Sequence, residues 1–331
     1  MNRLKYADHD PQWLVFYTEH IHRFWQHDVE QQRLTRPDGV TLSWYLHRPV
    51  HPIGLVVISP GRIEASVKYQ ELVWNFAQAG YAVAIIDHRG QGLSDRLSVN
   101  PQQGHVERFS DYVDDFAAMM QHLNVMYADI PKYLLAHSMG AAIASLYLLK
   151  YPHAIERAAF TAPMFGIQLG KKPKWFVKWV IHVGALLNRV VSPNQPWYVK
   201  DAGDYHAVPF ADNELTHSAA RYQVFRELYE AEPRLQLGGP TYQWVAQAFC
   251  AIHEIQQRAR ELQLPLLIIQ AGGDTIVDNA MIERFFKHHH GTASRLQTIE
   301  HAKHELLLES DCYRDVVLDA IWAWFQPSGT G

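Results

Sequence analysis

The stretch Tyr133-Leu134-Leu135-Ala136-His137-Ser138-Met139-Gly140-Ala141-Ala142 constrains this chain more than any other. Residues 133–136 are a short apolar run with the pattern of a buried strand. A helical run over 139–151 follows without a spacer and stops at Pro152. Ser138 stands at the junction. A strand that turns straight into a helix reverses so sharply that the positions two before and two after such a serine have almost no room for side chains. Here they are Ala136 and Gly140. The turn lifts the serine hydroxyl clear of the sheet, and the helix behind it aims backbone N–H groups at an oxygen in front. A serine in an apolar strand–helix turn is also a common structural feature, so its partners downstream decide between the two readings.

Strands and helices alternate on both sides of this turn. Residues 11–28, rich in Trp, Phe, Tyr and His, read as a helix packed on the body. Residues 31–36 and 40–47 read as two strands, with Asp38-Gly39 as a hairpin turn between them. A buried strand over 55–59 ends in Pro60-Gly61; a helix over 69–79 follows, with Gly80 placed to end it. The next buried strand covers 81–87. The apolar residues of 109–126 keep a helical period, and Asp111, Asp114 and Asp115 crowd its start, where the helix dipole favours acids. After the serine turn comes a strand over 157–161. The alternation stops from 163 to 239, a segment rich in Trp, Pro and basic residues. A helix over 241–262, a strand over 264–270, a helix over 279–288, a strand over 295–300 and a helix over 311–325 then resume it. Unbroken apolar strands alternating with helices spell an α/β protein with a mainly parallel sheet covered on both faces. The expected division is a core of 1–162 and 240–326, an insertion of 163–239, and a loose tail of 327–331.

Composition narrows the class. With 331 residues, 48% hydrophobic and 19% charged, the chain can bury a large core. A formal charge of −4 gives no sign of a nucleic-acid partner. Cys250 and Cys312 imply no disulfide framework and are expected to be two buried thiols in a reducing compartment. The first residues lack a basic region followed by an apolar core, and no apolar run approaches the roughly 18–20 residues of a membrane span. These features lead to the expectation of a cytoplasmic protein, with peripheral attachment at the inner face of the membrane as a further option.

A serine is a weak nucleophile at neutral pH and needs a base, which in turn needs an orienting acid. After a serine turn of this kind the acid comes next along the chain and the histidine last, each in a loop just past a strand. The strand over 264–270 runs into Ala271-Gly272-Gly273-Asp274, which makes Asp274 the expected acid. Asp278, next to a helix start, is better read as a cap. The strand over 295–300 runs into His301-Ala302-Lys303-His304, and His304 is the expected base, with His301 nearer the strand end as runner-up. The run His288-His289-His290 reads as a solvated helix end. An oxyanion site needs one amide from the residue after the serine, Met139, and one from the loop after the strand over 55–59, for which Arg62 is placed. Gly61 there is expected to let a substrate approach closely.

Several blocks are then recognisable together: Ser59-Pro60-Gly61-Arg62-Ile63-Glu64 through Tyr69, Asp87-His88-Arg89-Gly90-Gln91-Gly92-Leu93-Ser94, His137-Ser138-Met139-Gly140, Ala162-Pro163-Met164-Phe165-Gly166, 270–274 and 299–305. Over about 31–325 the chain resembles the monoacylglycerol-lipase-like serine hydrolases, above all their bacterial lysophospholipases. The resemblance implies an α/β-hydrolase fold with 163–239 as a helical cap (lid), a triad of Ser138, Asp274 and His304, and oxyanion donors Arg62 and Met139. It implies hydrolysis of carboxylic esters of single-chain lipids, lysophospholipid or monoacylglycerol, through an acyl-Ser138 intermediate, with no metal or organic cofactor. Alternatives are a short-ester or iminopeptidase-like peptide hydrolase, which would need acids in the insertion such as Glu227, Glu230 and Glu232, and a non-catalytic lipid-binding protein on the same scaffold. Acyl transfer to a second lipid is a further option. The chain departs from the family pattern at Pro60, which replaces a His, at Ala136 and Ala141, which replace glycines, and at His301, which replaces a Gly.

Within 171–191, Lys171, Lys174, Lys178, His182 and Arg189 fall near one helical stripe, and Trp175, Phe176, Trp179, Leu186, Leu187 and Val190 are among the apolar remainder. A basic stripe beside a Trp-rich face suits the surface of an anionic bilayer. The other reading packs the apolar face on the core and leaves the lysines merely solvated.

Overall fold

The apolar runs become the inner strands of a single sheet. The structure, a computed structural model, describes residues 6–170 and 173–326; Lys171 and the tail expected over 327–331 lie outside the described residues. The chain begins with α1 (Pro11–Phe16) and α2 (Arg23–Asp28), joined by a π-helical turn, Tyr17–His22. The widened turn has a cause in the sequence. Trp13, Tyr17, Ile21 and Trp25 recur every four residues and all are buried. An α-helix would rotate such a series progressively away from the body, and the wider π turn brings it back.

Then β1 (Val29–Thr35) and β2 (Thr41–His47) form the expected antiparallel hairpin, with Gly39 at φ +86° in its turn. From there β3 (Leu55–Ser59), α3 (Gln70–Gln78), β4 (Ala82–Asp87), α4 (Phe109–Met126), β5 (Lys132–His137), α5 (Met139–Lys150) and β6 (Ile155–Thr161) alternate as expected. Strand β6 starts two residues earlier than the apolar pattern suggests, because Ile155 reaches back to pair with Lys132 across a register irregularity. Between β6 and the next strand lie α6 (Lys174–Val191), α7 (Ala219–Ala231) and α8 (Tyr242–Gln257). The chain closes with β7 (Leu266–Ala271), α9 (Asn279–His288), β8 (Arg295–Ile299) and α10 (Asp311–Phe325).

The sheet runs β1-β2-β4-β3-β5-β6-β7-β8. Among the described residues only the β1–β2 and β2–β4 pairings are antiparallel; the other pairings are parallel. Every residue of β3, β4, β5 and β7 is buried, as a parallel sheet covered on both faces requires. One helical layer contains α3 and α10, tied by Phe76 stacked on Trp322 and by Arg314 donating to Asn75. The other contains α4, α5 and α8.

The segment between β6 and α8 is anchored at two places. Ile181 and Ala185 of α6 pack with Ala246 and Phe249 of α8. On α7, Tyr222, Phe225 and Tyr229 pack with Ala65, and buried Arg221 grips Glu71 of α3 through two hydrogen bonds of 2.7 and 2.8 Å. Two expectations are corrected. Cys250 and Cys312 are both exposed thiols rather than buried ones, because each sits on the outer side of its helix. His289 is not part of a solvated helix end: it is buried, with Nε2 2.8 Å from the Ser294 hydroxyl and its ring stacked on Phe285.

Candidate active site

The ends of β5, β7 and β8 bring three side chains, far apart in the sequence, into one line. Ser138 Oγ lies 3.0 Å from His304 Nε2, and His304 Nδ1 lies 2.7 Å from Asp274 Oδ2. Ser138 has φ 51° and ψ −117°, a conformation that costs a non-glycine residue about 1–3 kcal/mol and is tolerated only where the surroundings enforce it. The surroundings here are explicit. The Ser138 amide donates to Thr161 O at 3.0 Å, and its carbonyl accepts from Met164 and Ala141. The turn fits over β3 only because Gly140 has no side chain: a Cβ there would stand 2.5 Å from the carbonyl carbon of Ser59 and nearer still to the Ser59 and Pro60 oxygens. Ala136, by contrast, is an ordinary buried strand residue, so its methyl replaces a glycine hydrogen without backbone strain.

Asp274 is fixed by the loop that carries it. Its Oδ1 accepts from the amides of Ile276 and Val277 at 2.7 and 3.0 Å. Burial alone would raise its pKa, but His304 and these two amides reverse the effect and hold the carboxyl below its usual range. Asp278 is the helix cap it was read as, accepting from Ala280 N, and it also binds Lys174 Nζ at 2.6 Å. His301 is exposed and stands outside the line, with φ 63°. The backbone there is in the left-handed region that favours glycine.

The loop after β3 is held by a buried cluster that sequence reasoning missed. Glu64 accepts from the Gly61 amide, the Tyr69 hydroxyl and Lys68 Nζ at 2.5, 2.5 and 3.0 Å. Lys68 also binds Glu305, the residue after His304, at 2.5 Å. Burial pushes the Glu64 carboxyl up, but Lys68, His137, Tyr69 and Gly61 outweigh it and bring its pKa to about 2. Glu305 goes the other way, raised by burial and by the charge on Glu64 with which it shares one lysine. His137, whose ring centroid is 4.9 Å from that of His304, is driven down to about 4 chiefly by burial and so stays neutral at ordinary pH. Its traces in the sequence were the recognised block from Ser59 to Glu64 and Tyr69 and the i,i+4 spacing of Glu64 and Lys68. Gly61 lines the cavity and has a further task besides the one expected. A Cβ on it would lie 2.8 Å from Glu64 and 3.2 Å from Ser138, so the glycine lets these two groups pack together. With the Gly61 amide committed to Glu64, the next amide along the loop is that of Arg62; Met139 opens α5 directly behind the serine.

The serine faces a cavity of about 520 Å³. One part of its wall is apolar, with Met164, Ile167, Val245, Ile276 and Val277; another is polar, with Arg62, Tyr205, Arg226 and Tyr229. None of Glu227, Glu230 and Glu232 lines it; Asp201 and Asp204 do. On the outside, α6 turns Trp175, Trp179 and Val190 into solvent at 72%, 58% and 73% exposure. Its lysines are exposed as well: Lys174 reaches Asp278, and Lys178 lies over the Phe249 ring. Among the described residues no helix is long and apolar enough to cross a membrane.

A mainly parallel sheet with helices on both faces, carrying a serine on a strained strand-to-helix turn, defines an α/β-hydrolase. The fold is matched by the solved structure of a soluble variant of monoglyceride lipase from Saccharomyces cerevisiae, with a TM-score of 0.68, 20% identity and coverage of 89% of this chain and 93% of that one. The chain belongs to the family described as "Serine aminopeptidase, S33", whose model matches residues 50–311. It is 38% identical over 315 residues to lysophospholipase L2 of Escherichia coli K12, covering 92% of this chain and 91% of that protein. It is also 35% identical over 271 residues to the probable lysophospholipase L2 of Haemophilus influenzae Rd, covering 81% and 82%.

Proposed function

We propose that this chain is a serine hydrolase that cleaves the carboxylic ester of a single-chain lipid, lysophospholipid or monoacylglycerol, through an acyl-Ser138 intermediate. The observation that carries the reading is the hydrogen-bonded line Ser138–His304–Asp274 at 3.0 and 2.7 Å, facing a cavity with an apolar wall. The names of the relatives, lysophospholipase L2 and monoglyceride lipase, support the lipid ester as substrate.

In this mechanism His304 Nε2 takes the Ser138 proton as Oγ attacks the ester carbonyl carbon. The amides of Arg62 and Met139 hold the oxyanion that forms. Collapse breaks the bond to the glyceryl oxygen, which leaves with the proton from His304. Water, deprotonated by the same nitrogen, then releases the fatty acid from Ser138. Asp274 holds His304 in the tautomer that leaves Nε2 free to accept. Residues 163–239 act as a cap over the site. The outward Trp175–Trp179 face of α6 rests transiently on an anionic bilayer and gives a single lipid a path to the serine.

Fatty-acid release from 1-palmitoyl-lysophosphatidylethanolamine and 1-palmitoylglycerol, beside hydrolysis of p-nitrophenyl butyrate, tests the substrate class. Release from either lipid supports the reading; cleavage of the short ester alone removes the lipid assignment. A second reading has one observation in its favour: Asp201 and Asp204 line the cavity where a substrate amine would need an acid. Hydrolysis of proline β-naphthylamide faster than of either lipid would establish that peptide activity instead. For the membrane contact, Trp175→Ser/Trp179→Ser is expected to lose binding to phosphatidylglycerol vesicles in a flotation assay. Undiminished flotation would exclude this face.

A further inference from the structure

The cavity contains a half-buried positive charge that the triad does not use. Arg62 lines the cavity, and its side chain is half-buried with the Nε enclosed by protein. Its Nη2 donates to Gly238 O at 2.9 Å, and its guanidinium lies over the Trp244 ring, 5.0 Å from the centroid. The Nε is buried with no hydrogen-bond partner. Among the described residues no carboxylate forms an ion pair with it. The titratable groups that act on it are the phenols of Tyr112 and Tyr198, both raised and so neutral at ordinary pH. Burial lowers the Arg62 pKa to about 10, which leaves the group charged at neutral pH. An unpaired cation is costly to bury even in part unless something supplies its counter-charge.

Of the other charged side chains of the cavity, Lys68, Arg226 and Asp204 have polar partners within the protein. Lys68 is shared by Glu64 and Glu305. Arg226 donates to the hydroxyls of Tyr205 and Tyr222 at 3.0 and 2.7 Å. Asp204 accepts from Tyr198 and Asn100 at 2.5 and 2.8 Å. Arg226 also keeps a buried Nε without a partner, and among the described residues no ion pair is formed with it; Arg62 differs in that its own backbone amide stands in the loop placed for the oxyanion.

We infer that the Arg62 guanidinium binds the phosphodiester of the substrate headgroup, so that this site selects a lysophospholipid over an uncharged monoacylglycerol. The inference rests on the lipid-ester reading above and extends it to the headgroup. Its geometry comes from one residue serving two ends of the substrate. In arginine, the same number of covalent bonds separates the backbone nitrogen from the guanidinium carbon as separates the ester carbonyl carbon from phosphorus in a 1-acyl glycerophospholipid. An ester held at the Arg62 amide therefore brings its phosphate within the reach of the same residue's side chain. The planar fork then pairs with phosphate oxygens through charge-assisted hydrogen bonds, and the bound anion neutralises the cation.

The test compares kcat/KM for 1-palmitoyl-lysophosphatidylethanolamine and 1-palmitoylglycerol in the wild type, Arg62→Gln and Arg62→Lys. Both substitutions keep the backbone amide, so the ratio between substrates isolates the guanidinium. The expected result is a wild-type preference for the phospholipid that falls at least about tenfold in Arg62→Gln, as loss of a charge-assisted contact implies, and recovers in part in Arg62→Lys. An unchanged ratio in Arg62→Gln, or a wild type that favours palmitoylglycerol, overturns the headgroup role and leaves the lipid-ester reading standing. A wild type that cleaves neither lipid removes both. A second measurement needs no variant: glycerophosphoethanolamine is expected to inhibit p-nitrophenyl butyrate hydrolysis competitively at concentrations where glycerol does not. Equal inhibition by the two would overturn the proposal.

Discussion

Gly140→Ala is expected to damage stability and chemistry together, through a displacement whose direction the structure specifies. The new methyl would stand 2.5 Å from the Ser59 carbonyl carbon, where ordinary contact begins at 3.4 Å, a shortfall of about 0.9 Å and more at the neighbouring oxygens. The obstacle is backbone on both sides, so no rotamer change relieves it. Either α5 lifts from β3 or the end of β3 moves, and that end leads through Pro60 and Gly61 to the Arg62 amide. Overpacking of a tight core costs about 1–3 kcal/mol, and a clash against backbone belongs at or above the upper end. Spread over a 331-residue domain, 3 kcal/mol lowers Tm by about 4 °C. Misplacing a reacting group by about 1 Å costs roughly 10²-fold in rate. Thermal melting and kcat/KM on p-nitrophenyl butyrate read the two effects, with Ala136→Gly as a control that changes neither Ser138 geometry nor the β3 contact. A Gly140→Ala enzyme with wild-type Tm and a rate within threefold, or about 0.7 kcal/mol, of wild type would refute the account of why the turn is built as it is.

Arg221→Met leaves Glu71 buried beside Arg314 with its bidentate partner gone, and breaking such a pair costs about 3–5 kcal/mol; chemical denaturation measures it. Burial would raise the Glu71 carboxyl, but Arg221 and Arg314 hold it below its usual range. The stability it contributes is therefore present above its unfolded pKa, about 4.3, and lost as pH falls through the lower folded value, and this acid-labile part is expected to shrink in the variant. Asp274→Asn keeps the fold but presents His304 in the wrong tautomer, and kcat on p-nitrophenyl butyrate is expected to fall by about 10⁴; a loss under tenfold would exclude Asp274 as the orienting acid. His301→Gly relieves a side chain at φ 63° and is expected to raise stability by about 0.5 kcal/mol, the left-handed cost less the entropy of glycine; equilibrium unfolding in urea detects it, and a decrease would contradict the strain.

Much of this was legible along the chain because it depends on neighbours in sequence. The inner strands are continuous apolar runs, and the Ser138 turn declares itself by small residues at fixed offsets. Asp274 and His304 are found by their places past β7 and β8. What was not legible depends on contacts between distant segments. The i,i+4 spacing marks Lys68 as a partner of Glu64, but nothing local marks it as the partner of Glu305 too, which follows it by 237 positions. The Glu71–Arg221 grip spans 150 positions and looks, in sequence, like two surface charges. Acids in the segment between β6 and β7 were sought in the concentrated run Glu227, Glu230 and Glu232, yet the cavity takes Asp201 and Asp204, because Glu227 and Glu230 lie on the exposed side of α7 and Glu232 just past its end. The π-helical turn was missed as well, though the four-residue spacing of Trp13, Tyr17, Ile21 and Trp25 that requires it was in plain view.

The central claim is that Ser138 is an activated nucleophile, and an active-site-directed fluorophosphonate tests it most directly. Intact-mass and peptide mapping after reaction with excess probe are expected to show a single adduct on Ser138, with labelling abolished in Ser138→Ala and slowed by several orders of magnitude in His304→Ala. An unlabelled wild type, or an adduct on another residue that persists in Ser138→Ala, would contradict the account at its base.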